Sequence, residues 1–104
     1  MNIKYEKENK VLNFQITEEI DHYIVENLRR EADDEITRYM PRKVVFDFSN
    51  VSFMDSAGIG MIIGRYKTMK MLGGSFEIVN VSKSVKKILE MSGITKIIPI
   101  RDVL

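Results

Sequence analysis

The chain has 104 residues, of which 44% are hydrophobic and 30% charged. These values are typical of a single soluble domain, expected over residues 1–104. The 16 basic and 15 acidic residues give a formal net charge of +1, which offers no electrostatic reason for direct nucleic-acid binding. The absence of cysteine excludes disulfides and thiolate metal sites. No apolar run approaches the roughly 20 residues of a membrane-spanning helix, and the N-terminus lacks a signal peptide's apolar segment. We therefore expect a cytoplasmic protein outside the membrane, and nothing requires more than a monomer.

The first part of the chain predicts two short strands followed by a long helix. The strands are expected over residues 3–7 and 11–16, joined by a polar turn. Asp21 is expected to cap the helix, and Pro41 to end the helical region. The charged face of this helix is interpreted as solvated. Apolar residues at helical spacing mark its buried face: Ile24, Leu28, Ala32 and Ile36.

The rest of the chain alternates strand and helix. Residues 44–48 are almost entirely apolar, which is typical of a strand covered on both faces or flanked closely by helices. A second helix is expected over 57–72, ended by Gly73-Gly74. This order predicts an α/β fold with a mixed, mostly parallel sheet of four to five strands and crossover helices. The remaining elements are a strand over 76–79, a helix capped by Ser82 or Ser84 and stopped by Gly93, and a strand over 97–100.

Ser56 lies where the loop after the central strand turns into the second helix. The free N–H groups of a helix's first turn and the helix dipole favour a negative charge there. A phosphoryl group on Ser56 would add about −1.5 to −2 charges to this surface, which is the chemistry of a switch. Serine is also a common N-cap residue, so the serine alone favours a structural role.

The segment around Ser56 is more informative about function than the serine alone. Residues 53–60 (Phe-Met-Asp-Ser-Ala-Gly-Ile-Gly), 61–67 and 72–74 closely resemble the anti-sigma factor antagonists of the STAS domain family, most closely those of the sporulation type. The resemblance implies a STAS-like fold and phosphorylation of Ser56 by a partner kinase. Shorter matches to the family lie at residues 20–22, 85–93 and 96–98.

The resemblance also implies a regulatory cycle. The unphosphorylated chain would bind an anti-sigma factor that is also a serine kinase, and would thereby release the sigma factor. The kinase would use ATP to phosphorylate Ser56 and switch binding off, and a serine phosphatase would reset the chain, which needs no cofactor of its own. An alternative is a partner-switching or scaffold module of another stress-response pathway. The expected partner-binding residues are Asp21, Asp55, Ser56, Ala57, Gly58, Ile59, Gly60 and Met61.

Several of these residues admit a purely structural interpretation. Asp55 could be a loop or cap residue, could hold the Ser56 hydroxyl outward, or could contact the kinase. Gly58 and Gly60 could permit close packing or close approach of a partner, whereas Gly64 is expected to pack on the central strand. Ile59 and Met61 are expected to be less buried than the apolar residues on the inward face of this helix.

An enzymatic function is disfavoured. The strand–turn–helix context of Ser56 is that of a nucleophile elbow, but the first glycine of G-x-S-x-G is missing. A hydrolytic triad would require the only histidine, His22, to reach Ser56. Asp47 or Asp55 could serve as a phospho-accepting aspartate, but the companion acidic pair and lysine are not evident. Scattered carboxylates and one histidine predict no metal site.

Overall fold

The five-stranded sheet forms the centre of the computed structural model, which describes residues 1–103. Leu104, the last residue of the predicted domain, lies outside the described residues. The strands lie in the order β1–β2–β3–β4–β5; β1 is antiparallel to β2, and every other neighbouring pair is parallel. This confirms the predicted mixed, mostly parallel sheet. The strands are β1 Asn2–Glu6, β2 Val11–Gln15, β3 Lys43–Asp47, β4 Ser75–Val79 and β5 Ile100–Arg101.

The helices pack against one face of this sheet. They are α1 Val25–Tyr39, α2 Ala57–Met71 and α3 Lys83–Ser92, and a short 3₁₀ helix follows at Ile94–Lys96. Their buried side chains join those of the strands in one hydrophobic core, because alternate strand residues point to the same face. The strand residues in this core include Leu12, Phe14, Val44, Phe46, Phe76 and Ile78.

The other face of the sheet carries no helix from the described part of the chain. It forms an open groove of about 700 Å³, lined by alternate strand residues such as Asn13, Val45 and Glu77. The expectation that β3 is covered on both faces is therefore wrong, and the alternative of a strand flanked closely by helices holds on one face only. Val45 is still only 8% exposed, because its neighbours on the sheet shield it.

The first helix begins later than predicted. Asp21 Oδ1 accepts hydrogen bonds from the backbone N–H groups of Tyr23 and Ile24, both at 3.0 Å, so Asp21 caps a turn at residues 22–24 that leads into α1. The predicted stripe is confirmed at Leu28, Ala32 and Ile36, which are all buried, whereas Ile24 is half-buried.

In the C-terminal part of the chain, the predicted ends of the third helix are confirmed and the predicted last strand is wrong. Ser82 Oγ accepts a hydrogen bond from Val85 N at 3.3 Å and so caps α3, and Gly93 ends that helix with a φ of 81°. The predicted strand over 97–100 is wrong, because the chain first forms the 3₁₀ helix and pairs with β4 only at Ile100 and Arg101.

Candidate functional site

The loops that follow β2 and β3 meet at one edge of the sheet, because the carboxyl ends of parallel strands lie together. The N–H of Ile20 donates to the carbonyl of Phe53 at 3.0 Å, and the N–H of Asp55 donates to the carbonyl of Ile20 at 2.9 Å. A side-chain hydrogen bond from Ser52 to Glu19 adds a third link at 3.1 Å. The two loops therefore behave as one paired unit.

Asp55 fastens this unit to the start of α2. One carboxylate oxygen, Oδ1, accepts from the backbone N–H of Ala57 at 2.8 Å, and the other, Oδ2, accepts from that of His22 at 3.1 Å. Both oxygens of one side chain are thus used, one to satisfy a free N–H group of α2 and the other to hold the turn before α1. Asp55 is the cap of α2 as well as the tie between the two loops.

Ser56 lies at the N-cap position of α2 but does not act as a cap. Its backbone has helical angles (φ −64°, ψ −20°), and its side chain makes no capping hydrogen bond. A capping side chain requires an extended backbone to reach back to the helix N–H groups, so the hydroxyl of Ser56 is directed elsewhere, and the residue is exposed. The interpretation of Ser56 as a helix cap is therefore wrong.

The remaining residues of the predicted surface divide by burial. Ala57 and Ile59 are half-buried, Gly60 is exposed, and Gly58 is buried. Met61 is buried, with 5% exposure against 0% for the inward-facing Ile62 and Met69, so it is only slightly less buried than they are. Ile59 is half-buried and therefore clearly less buried than the inward face, as expected. Asp21 is half-buried, and its carboxylate is used in the turn before α1.

The three glycines of α2 differ in their surroundings. A methyl group on Gly58 would lie 2.5 Å from Cγ and Sδ of Met54 and 3.0 Å from Cγ2 of Ile20, so this glycine is required for close packing. Gly60 and Gly64 have no such neighbour within 4 Å. The expectation that Gly64 packs on the central strand is therefore wrong, and the space beside Gly60 is open to a partner.

Two exposed aromatic residues on the paired loops escaped the sequence analysis. Tyr23 is 80% exposed and Phe53 is 48% exposed. Their position in the sequence could have indicated this exposure, since both lie in loop segments outside the alternating or helical apolar patterns. The ring of Tyr23 lies 3.9 Å, centroid to centroid, from the ring of His22.

The structure does not bring together the residues that a hydrolytic site or a metal site would require. His22 Nδ1 lies 3.6 Å from Asp55 Oδ2, and within residues 1–103 no hydrogen bond joins the histidine ring to Ser56. Across the same residues, no group of three or more acidic or histidine side chains could hold a metal ion. No helix in the part of the chain that the structure describes is long and apolar enough to cross a membrane.

The profile of the STAS domain matches residues 2–104. The chain belongs to the STAS domain family. A 38% identical STAS relative is the anti-sigma F factor antagonist of Paenibacillus polymyxa, aligned over 98% of this chain and 89% of the relative. The anti-sigma-B factor antagonist of Bacillus subtilis (strain 168) is 27% identical over 96% of this chain and 90% of that relative.

A solved STAS structure supports the same assignment. The structure of the anti-sigma factor antagonist SpoIIAA in its unphosphorylated form superposes with a TM-score of 0.83 and 25% sequence identity, covering 99% of this chain and 89% of that chain. The single-domain α/β architecture of this STAS domain is therefore shared over the whole described length.

Proposed function

We propose that this STAS domain is an anti-sigma factor antagonist controlled by phosphorylation of Ser56. In the unmodified state it binds an anti-sigma factor that is also a serine kinase, and the sigma factor is released. Phosphorylation ends the complex, and a serine phosphatase restores the binding state. The names of the 38% and 27% identical relatives support the antagonist function.

One structural observation carries the assignment of Ser56. Asp55 already supplies the cap of α2, so the exposed hydroxyl of Ser56 has no capping task to perform. A hydroxyl that is exposed at a helix N-terminus and not engaged as a cap can enter a kinase active site without unfolding the helix. In the transfer, Ser56 Oγ forms a bond to the γ-phosphorus of ATP, ADP leaves, and the hydroxyl proton passes to a base of the kinase.

Charge and desolvation explain why the modified state releases its partner. A phosphate on Ser56 places about −1.5 to −2 charges beside the carboxylate of Asp55, in a surface that previously presented a neutral hydroxyl. Burying this group against the partner would require its desolvation next to a like charge. A cost of several kcal/mol is enough to weaken a complex by orders of magnitude.

The phosphorylation switch needs ATP only at the partner kinase. ATP is used by the kinase, and the antagonist itself carries no catalytic residue and needs no cofactor. In this proposal the cycle runs in the cytoplasm, where ATP is available to the kinase, and the free antagonist is a monomer. The sporulation pathway is favoured by the anti-sigma F relative. A general stress-response pathway is the second candidate, favoured by the anti-sigma-B relative.

The test is phosphorylation and binding with the anti-sigma factor kinase from the same genome. Mass spectrometry with peptide mapping after incubation with ATP is expected to show one phosphoryl group, on Ser56. Ser56→Ala is expected to keep binding the kinase in the presence of ATP, while the wild type dissociates as it is modified. Ser56→Asp is expected to bind at least about 10-fold more weakly.

Ser49→Ala is the matched control, because Ser49 is an exposed serine on the same loop and its side chain takes no part in the hydrogen bonds that pair the two loops. It is expected to be phosphorylated and to dissociate as the wild type does. Phosphorylation at another serine, or loss of binding by folded Ser56→Ala, would contradict the proposal.

A further inference from the structure

The surface predicted around Ser56 is too small for a stable protein complex. Specific interfaces bury about 800 Å² on each partner and involve about 20–30 residues a side. Gly58 and Met61, two of the eight residues predicted to bind the partner, are buried, and only Ser56 and Gly60 are exposed. The other four are half-buried: Asp21, Asp55, Ala57 and Ile59. The partner must therefore contact residues beyond this set.

The exposed aromatic residues of the chain are concentrated at this place. The chain has five phenylalanines and four tyrosines. Seven of these nine residues are buried or half-buried. Tyr23 and Phe53 alone are exposed. Phe53 lies on the loop that ends at Ser56, and Tyr23 lies on the loop paired with it. A large exposed aromatic side chain costs solubility without adding to the core, and aromatic residues are enriched among the residues that dominate binding energy.

The backbone holds both residues in fixed relation to Ser56. The carbonyl of Phe53 accepts the hydrogen bond from Ile20 N at 3.0 Å, which joins its loop to the one that carries Tyr23. The N–H of His22, the residue before Tyr23, donates to Asp55 at 3.1 Å. Asp55 in turn caps α2 beside Ser56. A pair of anchors held in this way loses little freedom on binding, which favours affinity.

We infer that Tyr23 and Phe53 are the apolar anchors by which the anti-sigma factor kinase docks on this domain. The inference rests on the proposed function and extends it, because it names the residues that supply binding energy as distinct from the residue that is modified. The partner is a kinase whose surface offers apolar pockets for two aromatic rings near the site that receives the Ser56 hydroxyl.

The experiment is an equilibrium binding titration of the full chain against the anti-sigma factor kinase of the same genome. ADP replaces ATP, so that Ser56 stays unmodified and its phosphorylation cannot contribute. Tyr23→Ala and Phe53→Ala are each expected to raise the Kd by about 10-fold or more, as hot-spot truncations do. Tyr23→Phe, which keeps the ring, is expected to stay within about 3-fold of the wild type.

Met71→Ala and Met91→Ala are the matched controls, because these side chains are 87% and 79% exposed but lie on α2 and α3 away from the paired loops. Both are expected to change the Kd by less than 2-fold. Thermal unfolding of each variant separates a lost anchor from a lost fold, and Tyr23, being the more exposed of the two aromatics, provides the reading that is least affected by folding.

The outcomes separate this inference from the proposed function. Wild-type affinity in Tyr23→Ala and Phe53→Ala, with a kinase that binds the wild type, overturns the inference and leaves the antagonist function standing. Failure of the wild type to bind overturns both. Sedimentation of the free chain tests the other occupant: if the wild type self-associates and Tyr23→Ala is monomeric, the aromatic pair joins two copies of the chain and the inference is wrong.

Discussion

Two adjacent residues divide the work at the start of α2. Asp55 satisfies an N–H group of the helix and holds the neighbouring loop, through hydrogen bonds of 2.8 and 3.1 Å. Ser56 contributes helical backbone and an exposed hydroxyl. The structural task and the chemical task are thereby placed on different side chains, so that Ser56 can be modified while the helix keeps its cap.

This division predicts that two alanine substitutions change stability by very different amounts. Asp55→Ala is expected to lower the free energy of unfolding by about 1–2 kcal/mol, because a helix cap is lost together with the hydrogen bond to His22. Ser56→Ala is expected to change it by less than about 0.5 kcal/mol, as a surface substitution that removes no cap does. Urea denaturation monitored by circular dichroism measures both. A larger loss in Ser56→Ala than in Asp55→Ala would show that the serine is the cap after all.

The sequence was sufficient to place Ser56 at the helix start but not to identify the cap. Ser and Asp are both good N-cap residues, and they are adjacent here. The choice between them depends on whether the backbone at Ser56 is extended or helical, which follows from the hydrogen bonds that join its loop to Ile20. Those hydrogen bonds are a tertiary contact, so local propensity could not reveal them.

At the scale of the element, α2 depends on one of its glycines and tolerates the others. Gly58 packs against Met54 and Ile20, which are 1% and 0% exposed, whereas the space around Gly60 is open. Each glycine lowers the intrinsic stability of a helix by about 1 kcal/mol relative to alanine. Only at Gly58 does the fold require that the side-chain methyl group be absent.

The same comparison predicts opposite signs for two glycine substitutions. Gly58→Ala is expected to lower the free energy of unfolding by about 1–3 kcal/mol, because the added methyl overpacks a buried site. Gly60→Ala, the matched control two residues further along the same helix, is expected to raise it by about 0.5–1 kcal/mol. Urea unfolding measures the pair. Equal stabilisation by both would mean that Met54 can move aside.

The burial of α2 was the least predictable feature of the helices. Apolar residues occur on most sides of this helix, at Ile59, Met61, Ile62 and Ile63, so the helical period does not select one buried face as it does in α1. Packing of α2 on both α1 and β4 decides the outcome and buries Met61. The exposed position of Gly60 depends on the same packing.

At the scale of the whole molecule, one carboxylate joins three strands on the open face of the sheet. Glu77 on β4 accepts hydrogen bonds from Arg101 of β5 at 2.6 and 2.8 Å, and it lies 2.8 Å from Lys43 Nζ of β3. The strand β5 pairs with β4 through only two residues. The bidentate contact therefore supports a strand whose backbone pairing is short. Because β5 is so short, the periodicity of the sequence did not place it correctly.

This contact predicts a loss of stability in acid. Hydrogen bonds from Arg101, against the opposing effect of burial and with a further contribution from Lys43, hold the pKa of Glu77 below its usual value. A group whose pKa is lower in the folded state adds stability that is complete above the unfolded pKa and disappears as the pH falls through the folded pKa. With an unfolded value of about 4.3 for glutamate, this contribution is expected to be constant near neutral pH and to decline below about pH 4.

Glu77→Gln isolates the contribution, because it keeps the size of the side chain and removes its charge. At pH 7 the variant is expected to be about 1–2 kcal/mol less stable than the wild type, since two cations lose their partner. The difference between the two proteins should shrink below about pH 4, where the wild-type carboxylate takes up a proton. Urea unfolding at a series of pH values measures it, and Glu8→Gln, at an exposed turn position, should show no such convergence. A stability difference that is independent of pH would mean that shape rather than charge holds β5 to the sheet.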